Sequence, residues 1–146
     1  MSNNYDEKQQ MDRGKGFQYG FIAAIAIDAL IYLAEGAMGM KIDGFASFLI
    51  QVWTPLTVCM LTFIVKDAMN GIREQTGRML AVGYGFCGLF MLCLAAAHVI
   101  SGKEAFISNG VITEEAGHLY IAVCMIAASV TYWIRQKLNQ KKYDEE

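Results

Sequence analysis

Four runs of this sequence are apolar for long enough to cross a lipid bilayer, and nearly all of its charge lies between and beyond them. They cover residues 17–34, 45–65, 79–100 and 116–134. A helix rises about 1.5 Å per residue, so roughly 20 residues cross the hydrocarbon, and each run meets that length. The second, third and fourth runs hold no Asp, Glu, Lys or Arg, with His98 near the end of the third and His118 near the start of the fourth, and the first holds a single acid, Asp28. A soluble helical bundle needs a polar face on every helix, and these runs have none to offer. The chain is 55% hydrophobic and 18% charged, where charged residues make up about a quarter of an ordinary soluble domain. The expected fold is a single all-α domain, an integral membrane four-helix transmembrane bundle.

Orientation follows from the cations. Lys8, Arg13 and Lys15 precede the first run, Lys66, Arg73 and Arg78 lie between the second and third, and Arg135, Lys137, Lys141 and Lys142 follow the fourth. The opposite side has only Lys41 and Lys103. Cytoplasmic segments carry the excess of Lys and Arg, so both termini are expected in the cytoplasm (N-in, C-in) of a multi-pass cell-membrane protein. Tyr132 and Trp133, beside Arg135, suit the inner interface. Residues 1–16 are polar and lack periodicity, and are expected to form a disordered or loosely helical cytoplasmic tail. Residues 135–146 form a second, charged cytoplasmic tail, with residues 17–134 as the four-span domain. The basic flank and first run have the outline of a secretory signal. The apolar stretch is longer than a usual signal core, which points to an uncleaved anchor.

Several function classes find no support. The net charge of −2 comes with no basic stripe for nucleic acid. Cys59, Cys87, Cys93 and Cys124 all fall inside apolar runs without a C-x-x-C pair, so packing is their expected role. Gly83-x-Gly85-x-x-Gly88 has the spacing of a dinucleotide-binding loop, but no strand precedes it and it lies within a span. No cofactor is expected. These glycines read instead as helix contacts: Ala81, Gly85 and Gly88 make one small-residue face. Gly20, Ala24, Asp28, Ile31 and Glu35, at spacings of three and four, make another. Pro55 removes a backbone donor inside the second run and predicts a kink there.

Two polar constellations are candidates for chemistry. An acid in hydrocarbon costs about 2.5–3.5 kcal/mol even on the milder scale, so Asp28 needs a partner, water or a proton. Counted from the outer ends of their runs, Asp28 and Gln51 lie at similar depth, roughly 10 Å in. A hydrogen bond from Asp28 to Gln51, or to Thr54 one turn deeper, is the expected pairing. At the outer surface Glu115-Ala-Gly-His118 is an E-x-x-H pair on one helical face, and His98 ends the third run. His98, Glu115 and His118 are the candidate ligands if a metal binds. The structural alternative is Thr113 as helix cap, Glu114 and Glu115 at the positive helix end, and His118 at the interface. The connector of residues 66–78 carries mixed charge and offers a docking face for a soluble partner.

The segment Glu7-Lys8-Gln9-Gln10, then Asp12-Arg13-Gly14-Lys15-Gly16-Phe17-Gln18-Tyr19-Gly20-Phe21, resembles the start of a group of small four-span integral membrane proteins of Gram-positive bacteria. Lys66-Asp67-Ala68 is similar to the same group. The resemblance covers the first half of the chain and implies four spans and a plasma-membrane location. It supplies no activity and no functional residue. The functional expectation is an accessory or regulatory subunit that acts by helix–helix association in the bilayer, with itself or with another membrane protein. The alternative is a small transporter or an ion or proton pathway through Asp28. A third reading is a membrane enzyme with an outer metal site.

Overall fold

The structure, a computed structural model, describes residues 6–69, 75–102 and 105–144. Four helices dominate it: α1 (Glu7–Gly36), α2 (Gly44–Val65), α3 (Gln75–Ile100) and α4 (Glu114–Asp144). All four are long and apolar enough to span a membrane. Three two-residue strands join them at one end: β1 (Lys41–Ile42), β2 (Ile107–Ser108) and β3 (Val111–Ile112), in the order β1-β3-β2.

The helices pack in series, α1 on α2, α2 on α4, and α4 on α3. Close approach is set by glycines. Gly20 lies against the Pro55 carbonyl and Cys59, and Gly16 against Phe63 and Cys59, so α1 and α2 run antiparallel. Gly85 faces Ser129, and Gly88 faces Ala122, Met125 and Ile126, so α3 and α4 are antiparallel as well. Gly117 of α4 sits on Ala46 and Leu49 of α2, while Arg135 reaches Asp67 just beyond the other end of α2. The two central helices are therefore parallel. β1 pairs with β3 in the same parallel sense, Lys41 opposite Val111 and Ile42 opposite Ile112. The molecule is thus two helical hairpins, α1-β1-α2 and α3-β2-β3-α4, that meet through α2 and α4.

Burial follows this order. In the apolar windows of the four helices, 39% of residues are buried in α4, against 17% in α2 and α3 and 11% in α1. α1 is the most outward helix. Large apolar side chains point outward on both end helices, among them Phe21 (69% exposed), Tyr32 (77%) and Phe86 (73%). In water such surfaces would aggregate; in a bilayer they meet lipid or other helices.

Two helices extend further than the apolar runs alone imply. Residues 7–16 belong to α1 rather than to a loose tail, while residues 1–5 lie outside the described residues. A capping box starts the helix, with Asp6 accepting from the Gln9 amide and the Gln9 side chain returning to the Asp6 N–H. α4 likewise continues to Asp144. α2 passes through Pro55, where the Thr54 hydroxyl donates to the Ile50 carbonyl (2.6 Å).

Candidate functional site

Polar groups gather at three places: the terminal end, where α1 begins and α4 finishes, the end that carries the strands, and the apolar part of α1.

At the terminal end α2 stops in a left-handed turn. Asp67 adopts φ +54° and the Ala68 amide donates back to the Phe63 carbonyl (2.8 Å), the signature of a Schellman stop. The turn presents the Asp67 carboxylate to α4, where it accepts from Arg135 Nη2 (2.9 Å) and Asn139 Nδ2 (3.1 Å). α1 joins from the other side. Gln9 donates to the Asp67 carbonyl, Arg13 donates to the Ala68 carbonyl while lying over the Phe63 ring, and buried Asp12 lies 3.6 Å from Lys66 Nζ. An open cleft of about 350 Å³ lies between them, lined by Asp6, Lys8, Gln9, Asp12, Lys66, Asp67 and Arg135. Its cations and anions are matched three to three, and most are already paired. The cluster ties α1, the end of α2 and α4 together. Lys66 and Asp67 read from sequence as an orienting cation and connector charge; the signal for their structural role is an Asp two residues beyond an apolar run that lacks a C-terminal glycine.

At the strand end the structure brings His98, Glu115 and His118 together. Glu115 is buried, and its Oε1 accepts a hydrogen bond from His98 Nδ1 (2.7 Å). His118 Nδ1 lies 3.9 Å from Glu115 Oε2, His118 Nε2 lies 3.8 Å from Glu114, and the His118 ring meets Phe45 edge-on. Among the described residues no group of three His, Cys, Asp or Glu side chains is arranged to hold a metal ion. The His98–Glu115 contact instead joins the C-terminal turn of α3 to the first turn of α4. The Thr113 hydroxyl donates to the Ala105 carbonyl (2.7 Å). The Thr113 backbone carbonyl accepts from Ala116. The side-chain cap is on α2, where Asp43 accepts from the Phe45 and Ala46 amides.

Asp28 differs from both clusters. It is exposed, and neither it nor half-buried Gln51 makes a hydrogen bond or ion pair among the described residues. The expected pairing fails for two geometric reasons. Gly16 lies against Cys59 and Gly20 against Pro55, so each step along α1 is one step back along α2. Asp28 therefore comes level with Ser47, a turn from Gln51. Thr54, meanwhile, faces α4 and shares a 2.7 Å hydrogen bond with Tyr120. Rotation around α1 compounds the mismatch. Half-buried Ile27 and buried Ile31 stay within about 20° of buried Gly20, whereas Asp28 lies about 80° around from it. Half-buried Ala24 borders the α2 contact, and Ala81 is buried where α2, α3 and α4 meet. Asp28 falls instead on a stripe with Phe21, Ile25 and Tyr32, all exposed.

No protein-family model matches the chain, and no curated protein or solved structure matches it either.

Proposed function

We propose that this chain is a small integral membrane subunit or regulator that acts by lateral association, with the Asp28 side of α1 as its contact face. The observation that carries this reading is an exposed carboxyl within an apolar helix, without a partner among the described residues. Hydrocarbon cannot solvate that group, so a neighbouring helix that meets it gains what lipid cannot supply. The serial packing of the helices favours the same role, since α1 packs along α2 and most of its apolar surface stays exposed. The distribution of Lys and Arg supports a plasma-membrane bundle with both termini and the terminal-end cluster in the cytoplasm. Asp28 does not line the cleft at the terminal end.

Native gel electrophoresis of mildly solubilised membranes tests the association. The tagged chain is expected in an assembly larger than itself, and Asp28→Leu is expected to release it as a single chain. Wild type migrating alone, or an assembly indifferent to Asp28→Leu, would refute the reading.

A further inference from the structure

The chain itself says which kind of helix can cover Asp28. All twelve Lys and Arg residues lie outside the four apolar runs, so no copy of this protein can offer a cation at the depth of Asp28. Its two histidines sit at the strand end beside Glu115 and Glu114. Two parallel copies meeting through this stripe would set Asp28 against Asp28 at one depth, with no cation between them. Of the other polar groups in the spans, the Thr54 hydroxyl bonds Ile50 and Tyr120, those of Thr57, Thr62 and Thr131 bond carbonyls of their own helices, and half-buried Gln51 offers an amide rather than a cation.

Building on the lateral-association reading, we infer that the partner is a different membrane protein whose spanning helix carries a Lys or Arg within the hydrocarbon, pairing with Asp28. The stripe around Asp28 fits this occupant. Phe21 and Ile25 toward one end and Tyr32 toward the other offer apolar side chains to the partner's flanking turns, and they would exclude water and lipid headgroups from the ion pair. Each charge alone is costly in lipid; paired, both are accommodated.

The probe is a single-span polyleucine helix co-expressed with the full chain. One version carries a Lys seven residues from the end that neighbours Glu35, a second carries Arg there, and a third is leucine throughout. Association is read by resonance energy transfer in the membrane. The Lys and Arg helices are expected to bind at least about tenfold more tightly than the leucine helix. The preference should survive Asp28→Glu and vanish in Asp28→Asn and Asp28→Leu. The exposed position of Asp28 leaves the fold of these variants intact, which circular dichroism verifies. Equal binding of charged and leucine helices, or a preference that persists in Asp28→Asn, would overturn the inference, as would an Asp28-dependent homo-oligomer without the probe. These outcomes are separable from failure of the broader reading. A chain that assembles in native gels yet ignores the cationic helix loses only the partner chemistry; one that never assembles loses both.

Discussion

Gly83 and Gly88 stand five residues apart on α3 in opposite surroundings, and they make a sharp test of how α3 meets α4. A Cβ built on Gly88 would lie 2.8 Å from Ile126 Cγ1, 3.1 Å from the Ala122 carbonyl oxygen and 3.1 Å from Met125 Cβ. None of these is the free end of a flexible side chain, so Gly88→Ala forces α3 away from α4. Gly83 has nothing within 4 Å of the same position. Both substitutions gain the roughly 0.5–1 kcal/mol by which Ala exceeds Gly inside a helix. That gain cancels on comparison, leaving the overpacking cost alone, about 1–3 kcal/mol. The assay is equilibrium unfolding on titrating SDS into mild-detergent micelles, followed by tryptophan fluorescence from Trp53 and Trp133. Gly83→Ala should match or exceed wild type, and Gly88→Ala should fall below Gly83→Ala by that margin. Equal stability of the two alanine variants would refute the close α3–α4 contact.

Three further outcomes follow from the same contacts. Asp67→Ala loses the Arg135 and Asn139 bonds and places an alanine at positive φ, so a destabilisation of about 1–2 kcal/mol is expected in the same unfolding assay. Asp67→Asn, which tolerates the left-handed turn, should lose less. A double-mutant cycle on Thr54→Ala and Tyr120→Phe should return a coupling of about 0.6–1.7 kcal/mol, the range seen for hydrogen bonds between membrane helices, and zero coupling would disprove the contact between the central helices. His98→Ala and Glu115→Gln should be strongly non-additive in stability, because each removes the same bond. Simple additivity would mean that the two side chains do not meet.

The sequence revealed the elements far better than their faces. Each span is legible because length and the absence of charge suffice to define it. The helical extension at residues 7–16 is not, because it rests partly on partners that adjoin only after folding, Asp12 with Lys66 and Arg13 with the Ala68 carbonyl. The strands are illegible for a similar reason: Lys41–Ile42 and Val111–Ile112 are two residues each, and they pair because α2 and α4 run parallel. Asp28 shows where helical bookkeeping misleads. Steps of four from Gly20 through Ala24 to Asp28 drift by about 40° each, enough to carry the acid off the packed face. His98, Glu115 and His118 were identified as neighbours from position alone, but the 2.7 Å bond between His98 and Glu115 needed the antiparallel α3–α4 register.

The account turns on whether the Asp28 side of α1 is covered by protein in the membrane. Photocrosslinking residues placed one at a time at Tyr32 and Leu30 answer this in intact cells. Tyr32 is 77% exposed and follows Asp28 by one turn, whereas Leu30, 60% exposed, lies around the far side of the helix. The account predicts a discrete protein adduct from position 32, lost in Asp28→Leu, and lipid adducts alone from position 30. Lipid adducts alone from both positions would contradict it.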